Sequence, residues 1–420
     1  MAVQSKPVWP KDERDLLAES LREAIRNMQY SDLPQLPEIL DDLLRKTVFN
    51  CAATSKEALP PDAVLEDFPA SQPTTAHATN KLLELWGDAH MNYLITRIVE
   101  RLSESKLHHS KVSLMLCRND VLGELCFILK LLEHPDLCLT EADRWAIQLW
   151  IRGGRLGEPP KVLANLMEAY LGALWVANQG RFELMHQWLE PLITILYPFA
   201  TTDADKTSTE QRAPFEPQGC SVCCGEAMYD TLDTKEYLPE IIAAGGILRD
   251  ALHAAQKGDC SGQLMAFAEE VLQAPYSHVL ETGEMCLRMN IVNAYLRATH
   301  QRRDIFVSPA AENKARYITK LRNLIMAPQV TARLAAALAL SEWFASPSNQ
   351  LMSSNRVLSQ SFVAAVGWFD RIDGRLQELE KFAMLIIPAA IETLSEHGYH
   401  EYAVCAVSSL LILMAIAFEM

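Results

Sequence analysis

The chain has 420 residues, of which 49% are apolar and 22% charged. That is enough apolar material for two or three folded domains, and it excludes a disordered or fibrous chain. The 53 acids against 38 Lys and Arg leave a formal charge of −15, which argues against a broad basic surface for nucleic acid, because phosphate neutralisation supplies most non-specific affinity.

The chain begins Met-Ala-Val-Gln-Ser-Lys-Pro and continues into Lys-Asp-Glu-Arg-Asp. This lacks both the apolar core of a secretory signal and the acid-poor character of a transit peptide, so a nuclear or cytoplasmic protein without a signal peptide is expected. The ten cysteines are scattered, mostly in apolar stretches, as suits buried reduced thiols. Apolar residues recur at helical spacing almost throughout and alternating runs are nearly absent, so an all-α chain is predicted. A first helix is expected over 12–30 and a second from near Ile39, after Pro34 and Pro37. The four prolines between Ser55 and Thr79 predict a long surface loop. Helices follow at about 80–104, 111–132, 141–151, 160–178 and 181–197. The Thr-, Asp- and Pro-rich run 201–219 reads as the start of a linker.

Beyond it the chain reads as helical from about Lys235 to the end, with breaks near Gly258, Pro275, Pro309 and Pro347, and no repeat of fixed period emerges. The uncharged run Ala403 to Phe418 is sixteen residues long and contains Ser408 and Ser409. It falls short of the roughly 20 residues a spanning helix needs, so a buried terminal helix and no membrane association are expected.

Two segments carry the candidate chemistry. In Glu84-Leu-Trp-Gly-Asp88-Ala the carboxylates are four residues apart and share a helix face; in Lys161-Val-Leu-Ala-Asn165-Leu-Met-Glu168-Ala the polar pair is three apart and again co-facial. Both pairs sit among Leu, Val, Ala and Met, where a charge is costly unless paired or bound to metal. Were the helices to cross with these pairs facing, three carboxylates and one amide oxygen would form the hard-oxygen environment that suits Mg²⁺. Pairing with Lys81 and Lys161 on a solvated stripe is the plainer alternative.

Glu84-Leu-Trp-Gly-Asp88-Ala resembles the Leu-Glu-Phe-Leu-Gly-Asp-Ala helix of the ribonuclease III family. Lys161 to Ala169, followed by Leu171-Gly-Ala-Leu, resembles that family's second motif helix, Lys-Val-Leu-Ala-Asp-x-x-Glu-Ala followed by an apolar-Gly-Ala. Arg118-Asn119-Asp120-Val-Leu-Gly-Glu-Leu stands where the family has an Asn-x-x-Leu helix. Leu36-Pro37-Glu38 to Val48-Phe49 resembles its opening, and Gly180 with Trp188 to Pro191 its end. The likeness runs in order over about residues 33–198. It implies an antiparallel homodimer that accepts double-stranded RNA, with Glu84, Asp88, Asn165 and Glu168 as catalytic residues and ligands to Mg²⁺ (or Mn²⁺), and in-line hydrolysis of a phosphodiester assisted by two metal ions.

Three features depart from the family pattern. Asn165 replaces an Asp, leaving the four-residue site at −3 rather than −4. Lys81 stands where bacterial relatives often carry an acid. Asn50-Cys51-Ala52 replaces the usual His-x-Ser. Two readings therefore stand: a double-stranded-RNA endoribonuclease slowed by Asn165, or a catalytically degenerate domain acting as an RNA-binding or dimerisation scaffold in a ribonucleoprotein. The expected organisation is an N-terminal helix or extension (1–32), a ribonuclease III-like domain (33–200), a linker (201–234) and a helical C-terminal region (235–420).

Weaker candidates complete the survey. Cys220-Ser-Val-Cys223-Cys224 has the spacing of half a zinc site, but only His253 and Cys260 follow as partners. His108, His109 and His186 read as surface residues, and Trp86 as either core or dimer contact. Besides Lys81, the candidate RNA contacts are Arg302, Arg303, Lys314, Arg316, Lys320 and Arg322, which with Arg333 form the densest basic stretch; a solvated helix face is the alternative. Nothing in residues 220–420 resembles the α-β-β-β-α double-stranded-RNA-binding domain that often follows such a nuclease domain.

Overall fold

The computed structural model describes residues 11–51, 79–102, 106–178, 181–201, 278–298, 306–308, 311–337 and 355–371. Among them the chain is helical and has no strand, only an isolated bridge between Asn50 and Cys138. It divides into two compact units. One comprises Trp9–Gln211 with Arg303–Arg316; the other comprises Met1–Val8, Arg212–Arg302 and Tyr317–Met420.

In the first unit α1 spans Lys11–Asn27, α2 Asp42–Val48, α3 Lys81–Leu102, α4 Lys106–Leu116, α5 Asn119–Ile128, α6 Glu141–Arg152, α7 Lys161–Ala177 and α8 Glu183–Leu196. The centre is α7, whose buried residues run around most of its circumference, from Leu163 and Ala164 to Trp175. A helix apolar on nearly all sides needs neighbours on nearly all sides, and α2, α3, α5 and α8 supply them.

The expected single helix over 111–132 is two helices. The chain leaves helical geometry at Arg118, which is extended (φ −69°, ψ 141°), and Asp120 at the start of α5 accepts both the Nε and Nη2 donors of Arg118 at 2.9 Å. The second helix also starts later than Ile39, at Asp42, because the Asp41 carboxylate accepts the free N–H groups of Leu43 and Leu44 at 3.0 Å. Before it the proline-containing segment is held extended from α7 and α8: Tyr170 donates to the Pro37 carbonyl at 2.7 Å, and Trp188 donates to that of Pro34 at 3.1 Å.

Helix α1 belongs to this unit and packs on α5. The contact is built on a buried carboxylate, Glu124, which is fully enclosed and accepts from Arg26 at 2.8 Å and from Arg155. Arg155 in turn lies over the rings of Phe127 (4.4 Å) and Trp150 (5.5 Å). Removing one member of such a set strands the others without solvent, so it locks α1, α5 and the 153–160 loop together.

In the second unit α9 spans His278–Ala298, α11 Pro328–Ala337 and α12 Asn355–Arg371; α10, Ala311–Ile325, starts at residues of the first unit and ends at residues of the second. α12 packs on α9 and on α11. The start of α10 agrees with the break expected at Pro309. The break before α11 was not expected, and its cause is Pro328 at the first helical position, where the fixed φ and missing N–H cost nothing. No helix among the described residues is long and apolar enough to cross a membrane; the apolar run 403–418, the loop 52–78 and the linker lie outside them.

Candidate functional site

The site helices α3 and α7 touch through their backbones. A Cβ placed on Gly87 would lie 1.7 Å from the Glu168 carbonyl oxygen, and one on Gly172 would lie 2.1 Å from that of Leu83. Only glycine at both positions permits this approach. It sets the turn Glu84 to Asp88 of α3 against the stretch Asn165 to Gly172 of α7. The N-terminus of α3 is fixed independently by Asn80, which is 2% exposed: its Nδ2 donates to the Val48 carbonyl and its backbone N–H to that of Asn50, both at 3.1 Å. Trp86 is fully buried, beside Trp175 and edge-on to Phe306 at 5.1 Å, and is thus a core residue of the first unit.

The crossing gathers charge. Glu168 is 7% exposed and has no hydrogen-bond or ion-pair partner among the described residues. Burial pushes its carboxyl well above the usual carboxylate range, the charges of Asp88 and Glu84 push it further, and Lys161 and Lys81 oppose them. Lys81 reaches Glu84 at 2.7 Å, and Asn92 Nδ2 donates to Asp88 Oδ1 at 2.6 Å. The Asn165 Oδ1 atom is buried and accepts no hydrogen bond, an arrangement that costs about 1–3 kcal/mol unless something binds there.

The sequence predicts that Glu84, Asp88, Asn165 and Glu168 converge on a metal ion; in the structure Asp88 and Glu84 act on Glu168 through their charges. Among the described residues no three His, Cys, Asp or Glu side chains are arranged to hold a metal ion. Asn165 stands one helical turn before Glu168, and its buried, unpartnered oxygen is a donor of the kind a hard divalent cation takes.

The other candidates lie elsewhere. Arg302, Arg303 and Cys220 to Cys260 fall outside the described residues. On α10, Arg316 and Lys320 are exposed while Lys314 and Arg322 are half-buried, and Arg316 pairs with Glu312 at 2.5 Å. His186 is half-buried beside Arg101 at 2.8 Å. Sequence reasoning missed a cavity of about 370 Å³ lined by Arg26, Tyr30, Phe127, Lys130, Glu133 and Arg155. Lys130 and Arg155 there adopt left-handed backbone (φ 59° and 61°), which no local sequence signal announces. Comparison of the chain with protein-family models, with curated proteins and with solved structures gives no match.

Proposed function

We propose that this protein is a Mg²⁺- or Mn²⁺-dependent endoribonuclease of ribonuclease III type, acting on double-stranded RNA in RNA processing, with Glu84, Asp88, Asn165 and Glu168 as its ligand and catalytic set. The observation that carries the reading is the crossing at Gly87 and Gly172, where the enclosed Glu168 carboxyl feels the charges of Asp88 and Glu84 one turn from a buried amide oxygen without a partner. Ionising an enclosed carboxyl that feels two like charges destabilises the unit unless a cation joins them. When bound, a divalent cation supplies Lewis-acid polarisation of the phosphodiester and a nucleophile from water at neutral pH. Glu84, Asp88 and Glu168 supply its charge, and Asn165 supplies a neutral oxygen. The glycine contact fixes the spacing of the two helices. Lys81 and Lys161, whose charges act on Glu168, offset part of the repulsion that an overall charge of −15 presents to RNA. Binding should accordingly be weak and strongly salt-sensitive. Pairing of the first unit with a second copy, as a homodimer, belongs to the same reading.

A second reading, a degenerate RNA-binding or dimerisation scaffold, is favoured by one observation: the fourth ligand position, Asn165, is an amide. Incubation of long duplex RNA with Mg²⁺ or Mn²⁺ separates the two. Cleavage by the native protein, faster in Asn165→Asp and absent in Glu168→Gln, is the expected result. Activity gained only in Asn165→Asp would establish the scaffold reading instead.

A further inference from the structure

The second unit repeats the device found at the candidate site. A Cβ on Gly283 of α9 would lie 1.9 Å from the Val363 carbonyl oxygen and 2.9 Å from the Gly367 nitrogen of α12. On Gly87 it would lie 1.7 Å from the Glu168 oxygen and 2.9 Å from the Gly172 nitrogen. In both units the clash falls on the residue four before a second glycine. The glycines are separated by 172 − 87 = 85 residues in one unit and 367 − 283 = 84 in the other.

Setting Gly283 on Gly87 aligns α9 with α3 at an offset of 196 residues, and setting Gly367 on Gly172 aligns α12 with α7 at an offset of 195, each helix pair ungapped and a one-residue gap falling between them. Lys161-Val-Leu-Ala-Asn165-Leu-Met-Glu168-Ala-Tyr-Leu-Gly172 meets Arg356-Val-Leu-Ser-Gln360-Ser-Phe-Val363-Ala-Ala-Val-Gly367. The burial pattern of α9 follows that of α3, while along α12 Leu358, Ser359 and Val363 are half-buried where Leu163, Ala164 and Glu168 of α7 are buried. Asp88, Asn92 and Arg97 are half-buried among buried neighbours, and so are Glu284, Arg288 and Asn293. Asn92 donates to Asp88 one turn back, as Arg288 does to Glu284. Helix lengths also correspond: 22 and 21 residues for α3 and α9, and 17 for both α7 and α12. α5 and α11, ten residues each, both pack on the 17-residue helix of their own unit. A shared glycine crossing alone would be ordinary close packing; a register of sequence, length and pairing over two helices, with a third of equal length packed on the same partner, is what duplication leaves.

We propose that residues 278–371 are a second copy of the helical core at 81–177, and that in this copy the site has been emptied. The positions of Glu84, Asn165 and Glu168 are held by Leu280, Gln360 and Val363, and only that of Asp88 keeps an acid, Glu284. The chain therefore carries two copies of the core and one cation site.

The duplication stands on the helices alone, while the ion count rests on the reading of the first site as a cation site. The test counts Mn²⁺ ions bound per full-length chain by electron paramagnetic resonance, with circular dichroism to verify folding. The expected result is that Leu280→Glu/Val363→Glu binds more Mn²⁺ than the native chain, that Glu168→Gln loses the native binding and that Glu284→Gln keeps it. A folded Leu280→Glu/Val363→Glu variant that gains no ion overturns the emptied copy, and so does Mn²⁺ lost on Glu284→Gln. A native chain that binds no Mn²⁺ sinks the proposed function, whereas an ion gained by the double variant would still uphold the copy. Should the double variant not fold, a crystal structure of the native chain decides: α9, α11 and α12 superpose on α3, α5 and α7 with the glycines coincident, and any other register overturns the proposal.

Discussion

Around Gly87 and Gly172 the first unit places three carboxylates and a buried amide, while around Gly283 and Gly367 the second unit places Leu280, Gln360, Val363 and one acid. The second crossing forms without the cluster, so the fold does not need those acids. In the first unit Glu168 is nonetheless kept enclosed, unpaired and facing two other carboxylates. A group that a packing arrangement tolerates but does not require, and that destabilises it, is what the proposed function accounts for.

The comparison can be broken most forcefully at the glycines. Gly87→Ala or Gly172→Ala drives a methyl group into a backbone carbonyl that cannot move aside, and a loss of about 4 kcal/mol or more is expected for the first unit. Gly283→Ala should do the same to the second. Thermal melts followed by circular dichroism read both, and near-native melting in any of the three would disprove the close crossing there.

Glu124→Gln should cost about 3–5 kcal/mol, because Arg26 and Arg155 would keep their charges in a buried place without the carboxylate that pairs them. Laid end to end on α5, α11 puts Arg333 at the place of Glu124, so this network sharpens the contrast between the units: denaturant melts of Arg333→Gln should show no comparable loss. Glu168→Gln should act in the opposite sense and raise the melting midpoint in metal-free buffer, increasingly so as the pH rises, since the enclosed carboxyl no longer has to ionise beside Asp88 and Glu84. Val363→Gln should give no such gain.

The smallest effect concerns pH. Burial holds His134, stacked on Phe49 at 3.7 Å, below the ordinary histidine range, with Arg45 lowering it further and Asp136 opposing. The folded state thus favours the neutral ring, so its contribution is complete above about pH 6.5 and is lost as the pH falls through the lowered folded value. His134→Gln should flatten the slope of stability between pH 7 and 5, and an unchanged slope would show that another group sets it.

Much of this organisation was legible in the chain itself. The helical period announced α3, α6, α7 and α8 to within a few residues, and the 3- and 4-residue spacings placed Glu84, Asp88 and Glu168 on faces that do come together. The close approach at Gly87 and Gly172 was not read from the sequence, because a glycine in a helix does not by itself say which backbone comes near it. Less visible was whatever depends on one side chain reaching a distant backbone. The break at Arg118 rests on an ion pair with Asp120, and the proline segment is held by Tyr170 and Trp188 from more than 130 residues away. The duplication was hidden for a related reason: the motif residues that would have announced it are those the second copy has lost, leaving glycine spacing and burial as the signal.

Cleavage of long duplex RNA in Mg²⁺ by the native chain, Glu168→Gln and Glu284→Gln, compared side by side, tests the central claim most directly. One functional site in the first unit predicts cutting by the native protein and by Glu284→Gln, and none by Glu168→Gln. Equal loss in the two variants, or native protein that leaves the duplex intact, would contradict it.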